Sequence, residues 1–272
     1  MDESLERPTA TLAFDVRGPS AARALVVTHE PTGSRAQEDA WGAFDWSAVT
    51  EVGERLVRYD IRGHGRSTGR AEQADYRWPA LAADLLALAD RVSPAEPVDL
   101  LGVATACGTV LEAAVTAPHR VRRIVLVVPP PVGPARARQA QLYRAAADLA
   151  ELRGAAAWAR GAAALPAAPV LVEGGWRREP HPAVPEELLP HVVRGDADSD
   201  TPAEDVLAAL PHEVLVLAWH DDRSHPVEAA RWLASTIPRA RLEVAERAED
   251  VRGWGRRVAA FVASVPATEV TA

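Results

Sequence analysis

Residues Gly102-Val103-Ala104-Thr105-Ala106 lie between an apolar run, Val98-Asp99-Leu100-Leu101-Gly102, and a helical stretch, Cys107-Gly108-Thr109-Val110-Leu111-Glu112-Ala113-Ala114. A strand turning this sharply into a helix is the geometry that presents a nucleophilic serine in a G-x-S-x-G corner. Here Ala104 takes the serine's place. A methyl group cannot attack a carbonyl, so chemistry through a seryl intermediate is not expected. Thr105 carries a hydroxyl, but the corner aims one residue only, and moving Thr105 there would displace Gly102 from the tight bend. Cys107 reads as a small buried hydrophobe on the following helix. All thirty cationic residues are Arg, which excludes a Schiff-base lysine. The eight His show no H-x-x-x-H spacing, and no Gly-rich loop cradles phosphate, so neither a metal nor another cofactor is expected.

The elements that must position this corner follow from periodicity. Strands are expected at Thr11–Val16, Ala24–Thr28, Arg55–Asp60, Val98–Gly102, Val121–Val128, Glu213–Ala218 and Arg241–Val244. Several are apolar on both faces, which points to a mostly parallel sheet covered by helices on two sides. Helices are expected at Trp78–Arg91, with Leu81, Leu85, Leu86 and Leu88 in its apolar stripe, from about Ala106, at Pro226–Ile237 and from Trp254 to Val265. From Pro131 to Pro211 the chain turns helical, Ala-rich and Pro-interrupted, with Val170-Leu171-Val172 its only strand-like run. The expected organisation is an α/β core from residues 1–130 and 212–265, a helical cap at 131–211, and a frayed tail at 266–272.

Composition narrows the function classes. The 272 residues are 48% hydrophobic, enough for a sizeable core, and the net charge of −8 argues against nucleic acid or an anionic membrane as partner. No apolar run approaches the roughly twenty residues that span a bilayer. The N-terminus has no apolar h-region, and the single Cys allows no internal disulfide, so a cytoplasmic setting is expected.

Tyr59-Asp60-Ile61-Arg62-Gly63-His64-Gly65-Arg66-Ser67, directly after a strand, resembles the Y-D-x-R-G-H-G-x-S segment of the α/β-hydrolase superfamily, especially its enol-lactone-hydrolase-like branch. Ala114, Pro118, Arg120 and Val121 resemble that family's A-x-x-x-P-x-R-V, and Leu217 to Asp222 its strand-plus-acid turn. His29-Glu30-Pro31-Thr32-Gly33 resembles the H-G-x-x-G loop that helps build the oxyanion hole. The resemblance implies an α/β-hydrolase fold with an inserted helical cap, and it makes Asp60, Arg62 and His64 structural braces.

It also implies a Ser, a His, an acid and two backbone donors, and this chain departs from three of them. Ala104 holds the nucleophile position. The loop after the last strand, Ala245 to Val251, has no His, and Asp250 falls about where the imidazole belongs. Glu30 replaces a glycine beside the developing oxyanion, and Pro31 has no N–H to give. Asp222 keeps the family's acid position, and His225, three residues on, is the candidate base; its alternative is an exposed residue of a first helical turn. The Thr105 N–H remains as an oxyanion donor.

Among eight Trp, residues Trp41, Trp46 and Trp158 are expected to line an apolar pocket, or else to pack the core; Trp78, Trp232 and Trp254 read as helix packing. The expected function is binding of a small organic molecule and a non-hydrolytic acid/base step, with protons moved by Asp222 and His225 or by Glu30. Two alternatives stay open: a ligand-binding pseudoenzyme without turnover, and an ester or lactone hydrolase captured as a Ser-to-Ala variant with His225 as base.

Overall fold

The structure is a computed structural model and describes residues 3–177 and 181–264; the tail expected at 266–272 lies outside them. Eight strands form one sheet: β1 (Glu3–Arg7), β2 (Ala10–Arg17), β3 (Ala24–Thr28), β4 (Arg55–Tyr59), β5 (Val98–Val103), β6 (Val121–Val127), β7 (Glu213–Trp219) and β8 (Ala240–Ala245). The order is β1-β2-β4-β3-β5-β6-β7-β8. β1 pairs with β2 and β2 with β4 antiparallel, and every later pairing is parallel.

The helices are α1 (Arg35–Trp41), α2 (Ala48–Glu51), α3 (Trp78–Val92), α4 (Ala106–Thr116), α5 (Gly133–Arg153), α6 (Ala155–Ala163), α7 (Pro169–Glu173), α8 (Leu189–Ala197), α9 (Glu204–Ala208), α10 (Val227–Thr236), α11 (Ala248–Arg252) and α12 (Trp254–Ala263). Side chains alternate across a strand, so one apolar strand feeds two cores. Leu100, Ile124, Leu126, Val214 and Val216 pack with α3, α4 and α10. Their neighbours Leu101, Val125, Val127, Leu215 and Leu217 pack with α2, α11 and α12 on the other face. Each such side chain contributes roughly 1.5–3 kcal/mol of burial.

Between β6 and β7 the chain forms only helices among the described residues. Val170-Leu171-Val172, strand-like by composition, lies inside α7: Pro169 sits in its first turn, where a fixed φ and a missing N–H suit a helix start. This helical segment is fastened by the fully buried Arg136. Its guanidinium donates to the carbonyl oxygen of Ser199 at 3.0 Å and to Asp196 Oδ1 at 3.2 Å, and it lies 4.7 Å from the centre of the Trp78 ring. Trp78 Nε1 donates to Asp196 Oδ1 at 2.8 Å, so α3, α5 and α8 share one buried ion pair.

Leu100 has no exposed surface and stands mid-strand in β5, opposite Val26 of β3 and Ile124 of β6. Leu100→Ala is expected to lower stability by roughly 2–5 kcal/mol in urea denaturation, with the far-ultraviolet circular dichroism of the folded state unchanged.

Candidate functional site

Backbone strain is concentrated on one edge of the sheet. Among the described residues, the non-glycine positions with positive φ are Thr32 (63°), Ala104 (55°), Val128 (47°) and Asp221 (57°). All four follow the carboxyl ends of strands: β3, β5, β6 and β7 respectively. For an L-residue this region costs about 1–3 kcal/mol, and it persists where the surroundings over-determine it. Here they do: Ala104 N donates to Val127 O at 2.9 Å, and Val128 N donates to Leu217 O at 2.7 Å, so each strained end is tied to the next strand.

The corner at Ala104 is therefore the sharp strand-to-helix turn that the spacing implies. Cys107 N donates to Ala104 O at 3.0 Å and starts α4. A methyl on Gly102 would stand 2.6 Å from Ala106 O, so only glycine admits this turn. Ala104 itself is 4% exposed and belongs to the apolar cluster that holds Val103, Phe44, Trp46 and Trp219. Thr105 is buried, and its hydroxyl bonds with the Asp196 carboxyl. Cys107 Sγ donates to Gly102 O at 3.2 Å, and burial pushes its thiol far above the usual range.

An acid and an imidazole do meet. His225 Nδ1 lies 3.0 Å from Asp222 Oδ2. Burial alone would raise the Asp222 carboxyl, but the His225 ring, the Trp219 Nε1–H at 2.9 Å and the Ser224 N–H at 2.8 Å hold it below the usual carboxylate range. An ionised carboxylate only accepts, so Nδ1 carries the ring proton and Nε2 is left to accept one. His225 is half-buried in the loop before α10, which begins at Val227; it is not in the helix's first turn. Gln139 Nε2 of α5 donates to Ser224 O at 3.1 Å and steadies the loop. Trp219 and Gln139 carry no sequence signal for this role, beyond Trp219 closing an apolar strand three residues before the acid. After β8 there is no His; Asp250 Oδ2 accepts from the N–H groups of Glu246 and Arg247, each at 3.0 Å, and caps α11.

The loop after β3 is built by two buried histidines. Ile61 N donates to His29 Nε2 at 3.0 Å, which puts the ring proton on Nδ1, and Nδ1 donates to Glu30 O at 2.7 Å. Thr32 N donates to His64 Nε2 at 3.3 Å while His64 Nδ1 donates to Arg62 O at 2.8 Å. Burial, with His29 nearby, pushes His64 down to about 3. His29 and His64 thus lace the Glu30-Pro31-Thr32 turn to the Asp60–Ser67 segment. Asp60 accepts from Arg35 N at 2.9 Å and Arg66 N at 3.0 Å, and these bonds with the Arg35 guanidinium outweigh burial and keep it ionised.

Two cavities adjoin this edge. One of about 340 Å³ is lined by Pro169 and Val170 of α7, His220 and Asp221 after β7, and Ala245 and Glu246 at the end of β8. His220 Nε2 lies 3.1 Å from Glu246 Oε1 there. The other, about 20 Å³, touches Pro31, His64, Trp78, Thr105 and Asp196. Aromatic rings wall the β7 side: Trp219 stacks on Trp254 at 5.5 Å, Trp254 on Phe44 at 5.8 Å, and Trp41 meets Phe44 edge-on at 5.1 Å. Trp41 and Trp46 join the cluster of Ala104. Trp158 does not; it packs with Tyr143 and Val184 inside the helical segment. Among the described residues no group of three or more His, Cys, Asp or Glu side chains converges as a metal site, and no helix is long and apolar enough to cross a membrane.

The fold is that of known proteins. A hydrolase from Pseudomonas aeruginosa superposes with a TM-score of 0.77 at 23% identity over 97% of this chain and 98% of its own. The chain has the α/β-hydrolase fold. A carboxylesterase from Nitrososphaera gargenis gives 0.78 at 17% identity, covering 96% of this chain and 98% of that one. The enol-lactonase of Burkholderia xenovorans gives 0.73 at 17%, covering 94% and 97%. The family described as alpha/beta hydrolase fold matches residues 47–178, a span that contains the Ala104 corner and ends before β7. In this chain the residue with the strained φ at the corner is Ala104.

Glycine at the corner relieves that strain. Ala104→Gly is expected to be neutral or to raise stability by up to about 1 kcal/mol in thermal denaturation, the reverse of the roughly 0.5–1 kcal/mol that an Ala→Gly change ordinarily costs.

Proposed function

We propose that the protein binds a small organic molecule at the carboxyl edge of the sheet, beneath the helices of residues 131–211 acting as a cap, and catalyses a non-hydrolytic proton transfer with His225 as base. The observation that carries this reading is the 3.0 Å contact between His225 and Asp222 in the loop after β7, in a chain whose strained corner after β5 has Ala104 at its apex. Asp222, held as an anion, fixes the imidazole's tautomer and stabilises the imidazolium that forms when Nε2 takes a proton. Hydrolysis through an acyl-enzyme lacks its attacking atom, whereas proton abstraction needs only the base. Elimination, isomerisation and cyclisation all begin this way. The net charge of −8 disfavours a nucleic-acid partner.

A second reading is favoured by the strain retained at Ala104: a fold built for ester or lactone hydrolysis that has lost its serine, with His225 standing in as base from the β7 loop. The enol-lactonase likeness brings lactones into the candidate substrates under either reading.

Incubation in D2O separates the two. The wild-type protein is expected to exchange the α-protons of cyclohexanone or γ-butyrolactone, followed by proton NMR, and to leave p-nitrophenyl acetate uncleaved above background. His225→Ala is expected to slow exchange by about 10²-fold or more. Exchange that survives His225→Ala sinks the acid/base reading. Ester cleavage appearing in Ala104→Ser and lost again in Ala104→Ser with His225→Ala supports the second.

A further inference from the structure

The hollow of about 340 Å³ beside the ends of β7 and β8 is fixed by contacts from three elements. β7 and β8 run parallel, with Trp219 opposite Ala245. The next residues on, His220 and Glu246, therefore stand side by side, and His220 Nε2 lies 3.1 Å from Glu246 Oε1. Asp250 accepts from the Glu246 N–H at 3.0 Å and holds the backbone as it leaves β8. Glu173 of α7 accepts from the Ala248 N–H of α11 at 3.1 Å, which ties the helix bearing Pro169 and Val170 to the same loop.

The lining divides by chemistry. Pro169, Val170 and Ala245 are apolar; His220, Asp221 and Glu246 are polar. A carboxylate only accepts, so the contact with Glu246 places the His220 ring proton on Nε2 and leaves Nδ1 as an acceptor. Arg223 and Arg247 are near in sequence, but neither lines the hollow. Arg252 of α11 lies 5.0 Å from the centre of the Trp176 ring and donates to Gly174 O at 3.3 Å. Among the described residues the lining thus carries acceptors and no cation, and an occupant must bring the donors and the positive charge. It must also bring an apolar part to cover Pro169, Val170 and Ala245. At about 30 Å³ for each water-sized group, the hollow admits roughly ten of them.

We propose that this hollow binds a small primary amine with a short aromatic or aliphatic body. The ammonium has three N–H groups, and the Glu246 carboxylate, the Asp221 carboxylate and His220 Nδ1 offer it three acceptors. The body lies against Pro169, Val170 and Ala245. Exposed carboxylates by themselves attract any cation, and only weakly. Selection comes from the apolar wall and from an imidazole whose place is set by the pairing of two strands rather than by one loop. Amine binding rests only on the part of the acid/base reading that puts a small organic ligand at this edge; it needs no proton transfer by His225.

Isothermal titration calorimetry of the full chain at neutral pH and low ionic strength, with benzylamine, benzyl alcohol and benzoate as probes, tests the site. Benzylamine is expected to bind with a millimolar Kd, about tenfold tighter than benzyl alcohol, and benzoate not to bind. Glu246→Gln and Asp221→Asn are each expected to weaken benzylamine about tenfold. Both positions are exposed, and asparagine tolerates the left-handed φ of Asp221, so the fold is kept. Glu228→Gln removes an exposed carboxylate of α10 outside the hollow and is expected to leave binding unchanged. Benzyl alcohol binding as tightly as benzylamine, or a benzylamine Kd untouched by Glu246→Gln, overturns the site. Equal weakening in Glu228→Gln also overturns it, since the net charge of −8 then attracts the amine at large. Benzylamine binding in a protein that shows no α-proton exchange in D2O keeps the amine site and removes the acid/base reading; exchange without benzylamine binding does the reverse.

Discussion

The left-handed turn at Ala104 is the constraint on which this structure's functional edge depends. It takes β5, at the middle of the sheet, straight into α4, and it works only because Gly102 leaves room for the Ala106 carbonyl. Its amide bond to Val127 ties the turn to β6, and the Val128 amide ties β6 in turn to β7. Three adjacent strand ends are thereby held in one rigid row. The loops that carry Asp222, His225 and Glu30 hang from that row or lie beside it, so their spacing is set by the sheet rather than by the loops.

Such strain is usually tolerated because a reactive side chain needs the exposure it provides. Here the apex is a buried methyl within an apolar and aromatic cluster, yet the geometry stays. Polar side chains lie to either side of it. On the β7 side an imidazole and an ionised carboxylate meet within one loop; on the β3 side Glu30 sits in the turn and Glu38 is buried in α1. A scaffold whose stability comes from the two apolar faces of its sheet can redistribute groups along one edge in this way, because that edge contributes little to the core.

Much of this could be read directly from residue order. The parallel strands announce themselves as apolar runs, and the Tyr59–Ser67 segment places the turn that braces the β3 loop. The pairing of Asp222 with His225 is visible in their three-residue spacing. Other features carry no local signal. β1, Glu-Ser-Leu-Glu-Arg, is an edge strand with mostly exposed side chains, so no apolar periodicity marks it. α1, Arg-Ala-Gln-Glu-Asp-Ala-Trp, lacks an apolar stripe because its inward face carries Arg35 and Glu38. The aromatic cluster of Trp219, Trp254, Phe44 and Trp41 draws on three separate stretches of chain, and the upward push on the Glu38 carboxyl comes from burial and from charges on α1 and two loops. Long-range assembly of this kind is invisible to spacing.

The ion pair of Arg136 and Asp196 has a mechanical consequence. Its donors reach Asp196 and Ser199 while Gln139, one turn along the same helix, grips the loop of His225. Lifting α5 would strand a buried guanidinium, which costs several kcal/mol. α5 is therefore held in place by a buried ion pair and by its bond to the loop of His225. At the margin lies α7, a helix of five residues followed by Gly174 and Gly175, where the 340 Å³ hollow meets solvent.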